Sequence, residues 1–283
     1  MYDVIIIGTG LAGISAALTL RLHNKNILWL GSLTLSEKIR KAEKIKNYPG
    51  LSSVSGQEFV RALQAQIEEA GLTITPQTAT GVYAMGDSFA VTTEKDSFES
   101  RAVILATGVE NVKSIQGEEA FLGRGVSYCA TCDGFLYKDK KIAVVCSVEE
   151  KLGEAEYLAA LAQKLYFIPL YKGDVLTGEN VETVRGMPVK ISGNKRVEKL
   201  VFKDKELAVD GVFFLKNAVA PAVLAGGLQT ENGHVIVSRD TSTNLRGLFA
   251  AGDCTGAPYQ YAKAVGEGNI AAHAVIKFLR ENG

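Results

Sequence analysis

Four apolar residues followed at once by a glycine triplet leave this chain few ways to begin. Val4-Ile5-Ile6-Ile7 is a short, wholly apolar run, the pattern of a parallel strand buried on both faces. Gly8-Thr9-Gly10-Leu11-Ala12-Gly13 follows, and Ile14 to Leu22 continues at helical spacing. A G-x-G-x-x-G between a strand and a helix is a dinucleotide-binding turn. Gly8 allows the tight turn, Gly10 brings bare backbone up to a pyrophosphate, and Gly13 lets helix pack on strand. The helix N-terminus then favours the phosphate charge. The next strand, Ile27 to Leu30, ends in Gly31-Ser32 where a carboxylate often holds a ribose. That disfavours NAD as the ligand of this first site.

The second constraint is Cys129-Ala130-Thr131-Cys132-Asp133. Two thiols at this spacing can close a small disulfide ring and reopen it, accepting and passing on an electron pair. Asp133 follows at once and can exchange the proton that a leaving thiolate needs. A zinc half-site or two buried structural cysteines are the other readings, but zinc takes two more ligands at matching spacing. Cys146 and Cys254 stand alone and the three histidines are scattered, so no metal is expected.

The totals exclude several classes. The chain has 283 residues, nearly half of them hydrophobic, enough for two domains or one large one. Its net charge is zero, so no global field draws it to nucleic acid or membrane. Four cysteines do not make a disulfide framework. Met1-Tyr2-Asp3 carries no basic region or cleavage site, and no apolar run reaches the length of a membrane span. A soluble cytoplasmic protein is expected.

Between these landmarks, Lys38 to Lys46 carries five basic residues and reads as a solvated helix face, or as a docking patch for an acidic partner. Asn47-Tyr48-Pro49-Gly50 is a turn, and Gly56 to Ala70 an amphipathic helix with Phe59, Leu63 and Ile67 on one face. Leu72 to Ile74, Val82 to Met85 and Phe89 to Thr93 read as strands of a small antiparallel sheet. Arg101 to Leu105 is another buried strand, ending in Ala106-Thr107-Gly108, small residues that let a loop run close to a cofactor.

Ile142 to Val145 and a helix over Glu154 to Leu165 open a second βαβ unit without a second glycine fingerprint. In its place, Val148 puts a side chain where a pyrophosphate needs bare backbone, and Glu149 and Glu150 bring negative charge to a helix N-terminus. The next strand, Leu165 to Ile168, ends in Pro169-Leu170-Tyr171 with no arginine pair for a 2′-phosphate. Val189 to Ile191, Val197 to Phe202 and Leu207 to Val209 read as strands joined by turns, and Val235 to Val237 and Leu248 to Ala250 as two more. Gly252-Asp253 follows, an acid placed to accept from a ribitol hydroxyl. A loop over Gly256 to Tyr261 leads into a helix, Ala262 to Leu279, whose start would stabilise charge on a reduced flavin ring. Cys254 reads as packing.

Together these residues resemble the low-molecular-weight thioredoxin reductase family along almost the whole chain. The likeness is carried by Gly8 to Gly13, Asn47 to Gly50, Ala106-Thr107-Gly108, Gly117-Glu118-Glu119, Gly123 to Gly134 with its Cys-Ala-Thr-Cys-Asp centre, Ala250 to Asp253, and Gly266 to Ala272. The resemblance implies an α/β fold of two Rossmann-like, three-layer ββα domains. One is a discontinuous FAD-binding domain over residues 1–112 and 216–283. The other is an inserted redox-disulfide domain over 113–215. It implies FAD held by Gly8, Gly10, Leu11, Ala12, Gly13, Asn47, Ala106, Thr107, Gly108, Gly252, Asp253, Gln260 and Tyr261. It further implies that Cys132 faces the flavin, Cys129 exchanges with thioredoxin, and Asp133 is the acid-base group. A homodimer and a rotation between domains complete the expectation.

The departures are as informative. The family's NADPH signatures are missing at Cys146 to Lys151 and Pro169 to Tyr171, and Ser36-Glu37-Lys38-Ile39 replaces its glycine-glycine-glutamine stretch. Losses confined to nicotinamide binding and part of the flavin surround, beside an intact dithiol centre, are similar to the pyridine-nucleotide-independent branch. The expectation is therefore a flavin enzyme passing electrons from ferredoxin through FAD and the Cys129–Cys132 disulfide to thioredoxin. The alternatives are an FAD-dependent dithiol oxidase using oxygen, or an NADPH-thioredoxin reductase with an atypical site. A flavoprotein that only binds a partner would need no thiol pair.

Overall fold

The computed structural model describes residues 1–40, 42–109, 115–118, 120–128, 130–216 and 221–282, without the side chains of Glu37, Lys38 and Cys132. The chain divides into two compact units, Met1–Val109 with Ala220–Gly283, and Glu110–Val219. The expected first crossing, at 112/113, lies outside the described residues, and the expected return at 216 falls just before the second boundary.

In the first unit the apolar start forms β1 (Tyr2–Ile7), the glycine turn leads into α1 (Leu11–Leu22), and β2 is Ile27–Leu30. A single turn, α2 (Glu37–Arg40), precedes α3 (Gly56–Glu69), and β3 (Ala79–Ala84), β4 (Phe89–Thr93) and β5 (Ser97–Leu105) follow. α3 starts at a capping box: Ser55 accepts from the Glu58 amide while Glu58 accepts from the Ser55 amide. Along β1 the side chains alternate faces. Val4 and Ile6 pack with α1, α3 and the C-terminal helix in one core.

The second unit holds β6 (Val126–Ser127), α4 (Ala130–Asp133), β7 (Lys141–Cys146), α5 (Leu152–Leu161), β8 (Lys164–Pro169) and β9 (Val181–Thr183). Then come β10 (Lys190–Ser192), β11 (Lys199–Val201), β12 (Glu206–Ala208) and β13 (Gly211–Leu215). The sheet runs β6-β13-β7-β8-β9, every pair parallel, and β10-β11-β12 form an antiparallel layer. Ala143, Val145, Val212 and Phe214 face that layer. Ile142, Val144, Phe213 and Leu215 face α5. This period-2 division builds the three layers.

The chain returns to the first unit with α6 (Pro221–Leu224), β14 (Thr230–Glu231), β15 (His234–Val235), β16 (Leu248–Ala250) and α7 (Tyr261–Glu281). β16 adds to β5 in parallel, beside the order β2-β1-β5-β4-β3. Among the described residues no helix is long and apolar enough to cross a membrane.

Several expectations are corrected. β3 and β4 are not a separate sheet, because β5 pairs with β4 through Ser97–Ser100 and with β1 through Ser100–Leu105. Leu72 to Ile74 is no strand: only Thr75 bridges, to Leu30, and Leu72 and Ile74 are apolar because they pack on the core. Lys38 to Lys46 is not one helix face. α2 ends at Arg40, and Ile45 bridges Val54 in extended backbone. α5 stops at Leu161 because the Asn180 side-chain amide donates to the carbonyls of Ala159 and Ala162, both at 2.8 Å, freeing Leu165 for β8. Of Val235 to Val237 only Val235 is in a strand.

α7 crosses α1 with almost no gap. A Cβ at Gly268 would sit 2.1 Å from the Ala12 carbonyl oxygen, whereas one at Gly266 meets nothing within 4 Å. Two substitutions in one motif should therefore have opposite signs. Gly268→Ala forces backbone apart and should destabilise by about 1–3 kcal/mol. Gly266→Ala should stabilise by roughly 0.5–1 kcal/mol through helix entropy alone. Urea unfolding midpoints measure both, and equal shifts would contradict the close crossing.

Candidate active site

The turn between β1 and α1 is shaped for a phosphate. Gly8 has φ +118°, and a Cβ there would lie 2.2 Å from the Ala106 carbonyl oxygen, so no side chain fits. Its carbonyl accepts from the indole of buried Trp29 at 2.9 Å. Gly13 packs against the same carbonyl. At Gly10, by contrast, nothing lies within 4 Å of the missing Cβ. Gly10 also caps α1 without a side-chain acceptor, and the first turn, which includes Leu11 and Ala12, contains no acid. The first amides of a three-turn helix are thus left for an anion.

The loop after β5 joins this turn. The Ala106 amide donates to Ile7 O at 2.8 Å, Gly108 follows at φ +70°, and Thr107 Oγ1 is buried with no well-formed hydrogen bond among the described residues. An orphaned hydroxyl beside an open glycine turn fits a polar ligand such as FAD. Residues far apart in sequence also meet here: Asn47 Nδ2 donates to Gln260 Oε1 at 2.9 Å, and the rings of Tyr48, Phe59 and Tyr261 form a chain of contacts. Tyr261, the first residue of α7, has its phenol pKa raised by burial and by the charge of Asp253.

Gly252 and Asp253 stand on a loop that α7 clamps. Glu267 accepts from the Gly252 amide and from the Thr255 hydroxyl, both at 2.8 Å. Lys263 donates to Gly252 O at 2.9 Å, Gly256 O at 2.8 Å and Thr255 Oγ1 at 3.0 Å, and pairs with Glu267 at 3.2 Å. The sequence places Glu267 in the Gly266–Ala272 motif without a role, and nothing there singles out Lys263. Their i,i+4 spacing at the start of a helix was the available signal.

In the second unit, Cys129 lies outside the described residues, and of Cys132 the backbone is placed, in α4. What surrounds the pair is defined. Ser127 donates to Asp133 Oδ2 at 2.6 Å, fixing that carboxylate. Phe135 and Leu136, in the 3₁₀ turn after α4, are exposed. The other two cysteines are buried and free. Burial pushes the thiols of Cys146 and Cys254 up to about 11, and both sulfurs donate to backbone carbonyls, Cys146 to Val148 and Cys254 to Leu105 and Ala251.

The turn after β7 differs from the turn after β1 in each respect that matters for phosphate. It carries Val148 in extended backbone, then Glu149 and Glu150. Glu149 Oε1 accepts from the Asp174 amide at 3.1 Å, which ties this turn to the loop after β8. In a parallel α/β sheet a nucleotide lies across those strand ends. Here a carboxylate spans them.

A dinucleotide cradle on one unit and a Cys-x-x-Cys-Asp segment on the other define a flavoprotein disulfide oxidoreductase. Comparisons with known proteins agree: residues 2–150 and 170–268 match the pyridine nucleotide-disulphide oxidoreductase family. A thioredoxin reductase of Helicobacter pylori strain J99 is 34% identical over 100% of both chains. A ferredoxin-flavin thioredoxin reductase from Clostridium acetobutylicum is similar in structure, with TM-score 0.89 and 45% identity over 99% of this chain and 98% of that one. A thioredoxin reductase from Gloeobacter violaceus follows at TM-score 0.76 and 29% identity, covering 99% and 94%. The chain belongs to the pyridine nucleotide-disulphide oxidoreductase family, among the thioredoxin reductases. It is an FAD-dependent disulfide oxidoreductase of two Rossmann-like domains.

Two outcomes are expected from this geometry. Lys263→Met removes the cation that gathers the Gly252–Gly256 loop and should weaken FAD binding to the apoprotein about tenfold, or about 1.4 kcal/mol. Fluorescence titration of apoprotein with FAD measures it, and an unchanged affinity would show the clamp to be idle. With thiol pKa values raised to about 11, Cys146 and Cys254 stay protonated through neutral pH and ionise only as pH rises toward that value. At pH 8 only about one thiol in a thousand is then thiolate. Oxidised native protein should give no thiol labelling until it is unfolded.

Proposed function

We propose that this protein is a ferredoxin-dependent thioredoxin reductase that works without NADPH. One observation carries the reading: the Glu149 carboxylate bonded to the Asp174 amide, across the strand ends where the second unit would otherwise take a nucleotide. The Clostridium acetobutylicum relative is described as a ferredoxin-flavin thioredoxin reductase, which supports the same donor and acceptor.

In this reading residues 1–112 and 216–283 hold FAD, and 113–215 carry the redox disulfide. The Gly8–Gly13 turn and the α1 amides take the pyrophosphate, and Ala106-Thr107-Gly108 lines the cofactor. Asp253 accepts from the ribityl chain, with Asn47, Gln260 and Tyr261 alongside. FAD, when bound, converts one-electron delivery into a two-electron reduction.

The Cys129–Cys132 bond takes up the electron pair at Cys132, the bond breaks, and Cys129 leaves as thiolate. Asp133, oriented by Ser127, exchanges the proton that Cys132 takes up, which leaves Cys129 as the thiolate. The Cys129 thiolate then attacks the thioredoxin disulfide, breaking it: one thioredoxin sulfur joins Cys129 in a mixed disulfide and the other leaves as thiolate. Cys132 attacks Cys129, which restores the internal bond and releases reduced thioredoxin. The exposed Phe135 and Leu136 give a protein partner an apolar surface beside the dithiol. Exposed Lys44 and Lys46 offer charge to an acidic ferredoxin. The same reading makes the enzyme a homodimer of the cytoplasm, where thiols are kept reduced.

The test is an anaerobic titration of the visible flavin bands with NADPH, NADH and reduced ferredoxin in turn. Ferredoxin alone should bleach them. Rapid bleaching by NADPH would mean that Val148 and Glu149 do not close the site, and oxygen uptake with a small dithiol would point to an oxidase. In a second arm, Lys44→Glu with Lys46→Glu should slow reduction by ferredoxin several-fold and flatten its salt dependence. An unchanged rate removes the docking site but not the donor.

A further inference from the structure

Gly117-Glu118-Glu119 belongs to the pattern that carries the family likeness, yet no step above uses it. Glu118 is 1% exposed, buried deeper than any other carboxylate among the described residues. Among the described residues, the partners of its side chain are all donors. Lys216 Nζ lies 2.9 Å from Oε1, the Tyr128 hydroxyl donates to the same oxygen, and the Ile115 amide donates to Oε2 at 2.9 Å. Lys216 is itself 5% exposed and lies over the rings of Phe214 and Tyr128, at 4.9 and 5.5 Å from their centroids. Those two rings stack at 5.7 Å.

The places of these residues in the chain give the cluster its meaning. Ile115, Glu118, Tyr128 and Lys216 lie far apart in sequence and meet at one carboxylate. Tyr128 immediately precedes Cys129. One carboxylate thus ties the Ile115 amide and the Lys216 ammonium to the residue before the exchanging cysteine. The next residue back, Ser127, holds Asp133. A buried ion pair adds little stability over apolar residues of the same volume, so stability alone does not account for this one.

We propose that Glu118 is a positioning residue for the redox dithiol: through the Tyr128 hydroxyl it fixes the segment from which Cys129 acts. The inference rests on the reading of Cys129–Cys132 as the redox pair.

Tyr128→Phe tests it gently, since the ring stack and the ion pair remain and only the hydroxyl goes. In single-turnover mixing of chemically reduced protein with oxidised thioredoxin, the limiting rate should fall about tenfold with the half-saturating thioredoxin concentration unchanged, the signature of a misaimed reacting group. FAD content and thermal midpoint should stay at wild-type values. The double variant Glu118→Leu/Lys216→Met replaces the pair by apolar volume. It should fold and remain slow. Wild-type turnover in either variant would overturn the positioning role. A reductive titration of wild-type protein separates the two ideas. Electron uptake by the flavin alone would sink the dithiol reading and this inference with it, whereas uptake by a disulfide as well leaves Glu118 to be judged by the variants.

Discussion

The open amides at the start of α1 are the interaction on which the first unit depends. Gly10 offers no capping side chain and the first helical turn no acid, so the positive end of the helix is uncompensated by the protein itself. Everything near it keeps that end accessible and in place. Trp29 fixes the Gly8 carbonyl from β2, Ala106 bonds back to β1, and α7 lies against Ala12 at Gly268. The second unit repeats the topology with the opposite electrostatics. Its turn after β7 carries acids where α1 has none, and one of them is already bonded to the neighbouring loop. Two related folds in one chain are therefore separated in function by a few side chains at one turn, which is where function resides on a shared fold.

Much of this was legible in sequence, for a definite reason. β1, α1, β2, β7 and β16 announce themselves because buried parallel strands are continuous apolar runs and the glycines restrict what can follow. β13, Gly211–Leu215, was equally apolar and was passed over, although it is the strand between β6 and β7. Leu72 to Ile74 failed in the other direction, since apolar residues packing under a helix look like a short strand when tertiary contacts are unseen. The basic stretch from Lys38 failed because its helix ends at Arg40 and Ile45 is then buried in extended backbone, bridged to Val54.

The candidate site divides the same way. Motif residues were legible because their backbone requirements are local. Glu118 and Glu149 were also named, but their partners were not, because Glu118 reaches Lys216 and Glu149 reaches Asp174 across stretches of chain that no local pattern marks. Asn47 and Gln260 were each named singly from the family likeness, but only the folded chain brings their amides together.

The supports share a device. Three loops that carry or close a site are each held by a glutamate accepting from a backbone amide: Glu267 from Gly252, Glu118 from Ile115, and Glu149 from Asp174. An amide in irregular backbone has no ladder partner and must be satisfied by some other acceptor. Burial then decides what else the carboxylate requires. Glu118 is enclosed and Glu267 partly so, and each has a lysine, Lys216 and Lys263, because an ionised carboxylate out of water is unstable without a counter-charge. Glu149 is exposed, and water screens its charge. Its negative charge is left in the crevice, where a phosphate would meet it. In the proposed reading, the same bond that orders the loop also disfavours a nucleotide on the second unit.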